Sequence, residues 1–79
     1  MNEMEKKRAK VASDMLVGRK IVRARYMSEG ERESMGWRNR PIVLQLDDGN
    51  MIYASSDDEG NDAGAMFTNS EKQPVLPVI

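Results

Sequence analysis

Asp57, Asp58, Glu59 and Asp62 put four carboxylates into six consecutive positions, with Ser55, Ser56 and Asn61 beside them and Gly60 and Gly64 to bend the backbone. Oxygen-rich runs of this kind suit hard cations such as calcium and magnesium, so divalent-cation binding through the 56–62 loop is one reading of the segment. The EF-hand pattern does not fit. With Gly60 at the glycine place, Ser55, Asp57, Glu59 and Asn61 take the early ligand places, but Met66 stands where a bidentate acid belongs. Neighbouring acids on an extended backbone also point in different directions. The other reading is structural: the carboxylates accept from nearby backbone amides. Ser56, Asp58 and Asp62 then anchor the loop, and Arg23, Arg25, Arg38 or Arg40 answers its charge through a planar fork. No residue is assigned as a metal ligand, and no cofactor is expected.

Catalysis has little to work with. The chain has no histidine and no cysteine, which removes the commonest general base, the commonest transition-metal ligand and any thiol nucleophile. Ser55 and Ser56 lie beside Asp57, yet nothing activates their hydroxyls. No phosphate-cradling glycine motif is present. The sequence therefore reads as non-enzymatic. Residues 1–40 hold eleven Lys/Arg against six Asp/Glu, whereas residues 41–79 hold one against seven. The basic half (Lys6, Lys7, Arg8, Lys10, Arg19, Lys20, Arg23 and Arg25) offers phosphate contacts for a weak nucleic-acid-binding small barrel. An isoelectric point near 5.4 and only four aromatic residues argue against nucleic acid as the partner. Binding another protein, or self-association, is the leading expectation. Tyr26, Trp37, Arg40, Tyr53, Ser56, Asp58 and Asp62 are the candidate contact residues. Met15, Met27, Met35, Met51 and Met66 are flexible side chains suited to adaptable contacts, or to filling an undersized core.

The elements that must position these groups follow from periodicity. Over residues 3–17, Met4, Val11 and Met15 share a face at helical spacing, with Ala12 and Leu16 beside them, and Gly18 ends the run. This helix is expected to pack on the sheet or on another subunit. Residues 19–27 alternate as a half-buried strand, with Val22, Ala24 and Tyr26 on one face. Ser28 followed by Glu31 is a capping-box pair and predicts one helical turn within the polar 28–36 segment. Trp37 follows as a core lid. Pro41 opens a strand with Ile42, Leu44 and Leu46 inward, and Asp48-Gly49 turns it into a partner strand over 51–55. Residues 65–68 and 74–79 make short extended segments, the last held to a sheet edge by Pro77. The expected core is Val11, Met15, Leu16, Val22, Ala24, Tyr26, Trp37, Ile42, Leu44, Leu46, Ile52, Ala54, Phe67, Leu76 and Val78.

The strings Gly18-Arg19-Lys20-Ile21-Val22, Arg25-Tyr26-Met27, Gly36-Trp37, Arg40-Pro41, Leu46-Asp47-Asp48-Gly49 and 57–65 resemble a group of small, uncharacterised bacterial proteins. The resemblance implies a compact β-rich fold and a bacterial cytoplasmic setting, and it brings no activity with it. The expectation is one α+β domain over 1–79, with a helix over 1–17 and a β-rich unit over 18–79. The β-rich unit is expected to be a bent antiparallel sheet of four or five strands, an SH3-like barrel beneath the helix. No apolar run is long enough to span a bilayer and no secretory signal is evident, so a cytoplasmic protein without a membrane partner is expected.

Overall fold

The computed structural model describes residues 2–79. Helix α1 spans Glu3–Leu16. Asn2 caps it: its side-chain oxygen accepts from the Glu5 N–H at 2.8 Å and its Nδ2 donates to the Glu5 carboxylate at 3.3 Å. Strand β1 (Ile21–Tyr26) follows, then helix α2 (Glu29–Met35), β2 (Ile42–Leu46), β3 (Met51–Tyr53), β4 (Met66–Phe67) and β5 (Val75–Leu76). The class is α+β, built from an N-terminal helix and small antiparallel sheets.

Strands β1, β2 and β3 form one antiparallel sheet with β2 central, while β4 and β5 form a separate two-stranded ribbon. Among the described residues no closed barrel forms. The two sheets approach at two places: Ser55 bridges Ala63, and Arg40 and Ile79 exchange backbone hydrogen bonds of 2.7 and 2.9 Å. The β2–β3 hairpin uses three loop residues. Leu46 accepts from the Gly49 N–H and donates to the Asn50 carbonyl, and only Gly49 takes a positive φ, +90°. The hairpin expected at Asp48-Gly49 is therefore closed by a turn plus a glycine bulge.

The covered face of the sheet also differs from expectation. Met27, Trp37, Val43 and Ala63 make the buried cluster, with Val78 packed against it and Pro41 fully enclosed beside it. Val43 lies on the opposite face from Ile42 and Leu44, which are only half-buried. The reason is α2. Its capping box forms as the Ser28–Glu31 spacing predicts. Glu31 then reaches across to grip Arg25 of β1 through both carboxylate oxygens, at 2.8 and 3.1 Å. That clamp sets α2 and the following Trp37 over the Arg25–Val43–Tyr53 face. Trp37, Leu46 and Val78 join the interior as expected, but Val22, Ala24 and Phe67 are exposed.

Helix α1 departs furthest. None of its residues is buried, and the apolar side chains Val11, Met15 and Leu16 face solvent. It does not lie as a lid on the sheet. A radius of gyration of 14.0 Å, against about 12 Å for a compact chain of this length, fits a helix that stands away from the body. Among the described residues no helix is long and apolar enough to cross a membrane.

Candidate functional site

Trp37 joins two surfaces. On one side it seats the acidic loop. Its indole Nε1 donates to the Gly60 carbonyl at 2.6 Å, and only 3% of the residue is exposed. Asp62 supplies the second anchor. Its Oδ1 accepts from the N–H groups of Ala63, Arg38 and Asn39 at 2.8, 3.1 and 3.2 Å, and its Oδ2 accepts from Asn39 Nδ2 at 3.3 Å. Its carbonyl accepts from Ser55 Oγ and from the Ser56 N–H. These donors favour the charged carboxylate, so its pKa falls below the usual range, chiefly through the Ala63 N–H and next through those of Asn39 and Arg38.

Asp57 closes the loop on itself. It accepts from the Glu59 and Asn61 N–H groups and from Asn61 Nδ2 at 2.7 Å, and its pKa is lowered, first by that side-chain bond. Gly64 lets the loop return: a Cβ there would sit 2.7 Å from the Ser55 carbonyl oxygen. The expected anchors are thus revised. Asp62 holds the loop, Ser56 contributes its backbone N–H, and Asp58 is exposed and makes no hydrogen bond with the described residues. Among the described residues no guanidinium answers the loop either: Arg23 and Arg38 form no ion pair there, and Arg38 gives only its backbone N–H to Asp62. Arg25 pairs with Glu31, Arg40 with Glu29 at 3.0 Å, and Arg19 with Asp47 and Asp48. Backbone amides stabilise two of its four carboxylates, Asp57 and Asp62, while Asp58 and Glu59 stay exposed to water. Among the described residues no three acidic groups converge as a metal site. The oxygens of Asp57 and Asp62 are already engaged within the fold.

On its other side Trp37 meets Tyr53 edge-on, with ring centroids 6.0 Å apart. Tyr53 forms one wall of an open cleft of about 380 Å³ between α2 and β3. Met35, Ser34 and Glu31 supply the helical wall, Met51 and Tyr53 the strand wall, and Met27 and Val43 the floor. Met35, Met51 and Tyr53 are 40%, 50% and 44% exposed, a contiguous apolar rim. Glu31 holds the cleft's geometry as well as its rim. It accepts from the Ser28 N–H and from Arg25, and its pKa drops to about 2, first through the Arg25 hydrogen bond. Strand β3 is an edge. Leu46 and Asn50 are hydrogen-bonded, so the two-residue alternation of an antiparallel ladder makes Leu44–Ile52 the next bonded pair. The backbone groups of Met51 and Tyr53 therefore point away from β2.

Of the residues expected to form one contact surface, Trp37 touches Tyr53 and seats the loop that carries Ser56, Asp58 and Asp62, but at 3% exposure it supports that surface from within and is no contact residue itself. Tyr26 and Arg40 lie elsewhere, against the C-terminal segment. The Tyr26 hydroxyl donates to the Pro77 carbonyl at 2.8 Å, and Arg40 pairs with Ile79 through its backbone and with Glu29 through its side chain. Sequence reasoning missed Met27, Met35 and Met51 as one cluster. Their residue type was the signal, but they are scattered along the chain and gather only when α2 lies over the sheet. Comparison with protein-family models, curated proteins and solved structures finds no match to this chain.

Proposed function

We propose that the protein is a non-catalytic protein-interaction module that receives an extended segment of another protein in the cleft between α2 and β3. The carrying observation is the conjunction of a methionine-rich apolar trough with the unpaired edge of β3. An edge strand offers backbone hydrogen bonds to an added strand, and pockets beside it select alternate side chains. Methionines repack around different apolar groups at little cost, so the trough suits a bulky apolar residue without demanding one shape. The hydroxyl of Tyr53 and the carboxylate of Glu31 give the rim a polar border.

The two sheets, joined at Ser55–Ala63 and Arg40–Ile79, support reading the body as an opened relative of the SH3-like barrel. The barrel analogy carries no function by itself. A cytoplasmic setting belongs to the same reading. The experiment is selection of displayed random peptides on the whole protein, followed by binding measurements with Tyr53→Ala and Met35→Glu. Selected peptides should lose affinity for both variants by about tenfold or more. Peptides that bind both variants as tightly as the original would remove the cleft from consideration.

A further inference from the structure

We propose that α1 is a self-association element: two copies of the chain pair their α1 helices antiparallel across a two-fold axis, along the seam Met4–Arg8–Val11–Met15. The helix needs such a partner. Isolated helices shorter than about 12–15 residues are marginal in water, and this one of 14 residues buries none of them. Met4, Val11 and Met15 are 63%, 67% and 40% exposed. They recur with the alternating four- and three-residue spacing of a two-helix seam, Arg8 filling the remaining place.

The charges choose the occupant and the direction. A parallel pair would set Arg8 against Arg8. An antiparallel pair sets Arg8 against Val11 of the second copy, and Met4 against its Met15, so each arginine stem lies along apolar surface and its head reaches water. On the flank of the seam, Lys7 then faces Asp14 of the second copy, and symmetry makes this contact twice. Lys7 makes no ion pair within α1 among the described residues, and Asp14, which holds Lys10 through Oδ2 at 2.8 Å, has Oδ1 left to offer. Opposed helix dipoles favour the same arrangement. An anionic bilayer fits less well: Glu3, Glu5 and Asp14 offset most of the charge of Lys6, Lys7, Arg8 and Lys10, and the helix carries no aromatic residue to seat at the interface. Pairing is isologous, so it closes at two copies and leaves the α2–β3 cleft free.

Sedimentation equilibrium of the full chain tests this. A reversible monomer–dimer equilibrium is expected, with helix content rising alongside dimer. Val11→Asp should weaken the dimer by more than about a hundredfold, because it buries a charge in the seam. Lys7→Glu should weaken it by roughly tenfold through two repulsive contacts, and adding Asp14→Lys should restore it. Urea unfolding of the β-rich body should have the same midpoint in every monomeric variant, which separates lost pairing from lost folding. A chain that stays monomeric at millimolar concentration, a Val11→Asp dimer as tight as the original, or a charge swap without recovery would each overturn the proposal. So would binding of the monomer to phosphatidylglycerol vesicles that Val11→Asp abolishes while no dimer forms.

Discussion

Replacing Trp37 by Phe probes the joint on which both surfaces turn. The indole is 3% exposed, packs in the cluster with Met27, Val43 and Ala63, and holds the Gly60 carbonyl at 2.6 Å. Phenylalanine keeps most of the apolar volume and removes the donor. Gly60 is only half-buried, so water can replace the lost partner in part, and that loss costs about 1 kcal/mol. The space left by the smaller ring adds about 1–2 kcal/mol, since a small core relaxes incompletely. At about 4–8 °C per kcal/mol for a domain of this size, a total of about 2–3 kcal/mol lowers Tm by roughly 10–20 °C. Circular dichroism melting and urea titration both read it, and amide spectra of Trp37→Phe should change most over residues 57–62. A variant that melts within about 2 °C of the original, with an unmoved loop spectrum, would refute the assignment of Trp37 as the loop's anchor.

Gly64→Ala should cost about 1–3 kcal/mol, because the new methyl meets backbone atoms of Ser55 and Ser56 that cannot swing aside; a melting temperature equal to the original's contradicts that packing. Val43→Ala should cost about 2 kcal/mol, whereas Val22→Ala on the open face should change stability by less than about 0.5 kcal/mol, as urea midpoints will show. Glu31, Asp57 and Asp62 all have folded pKa values below their unfolded ones, so their contribution is complete above the unfolded values and lost as pH falls through the folded ones. Stability should therefore decline on acidification, the Glu31 part between about 4.5 and about 2, and Glu31→Gln should flatten that part of the curve in acid-titrated urea melts.

Local signals in the sequence transferred well to the structure. The helical spacing of Met4, Val11 and Met15 marked α1, Ser28 and Glu31 marked the start of α2, and Asp48-Gly49 marked the hairpin. Each is a rule about neighbours within a few positions. What failed was the choice of face at Val43, whereas Leu46, on the face of Ile42 and Leu44, is buried as expected. Alternation groups Ile42 with Leu44 and Val43 with Gln45, but it does not say which set is covered. That depended on a seven-residue polar helix being pulled over the sheet by Arg25 and Glu31, which are six positions apart. The loop shows the same limit. Asp58 and Asp62 carry the same side chain, and only the amides of Arg38 and Asn39, more than twenty positions away, single out Asp62. The solvent-facing α1 was illegible for a related reason: an amphipathic stripe declares that it needs a partner, not whether the partner lies in the same chain.

The cleft itself is tested most directly by its methionines. The chain has seven, of which Met27, Met35 and Met51 line the trough. In protein carrying ¹³C-methyl methionine, a selected peptide should shift those three resonances and show contacts from its own side chains to the Met51 and Tyr53 protons, leaving Met4 and Met15 unmoved. Shifts confined to Met4 and Met15, or to amides of the acidic loop with the trough methyls unchanged, would contradict the placement of the binding surface between α2 and β3.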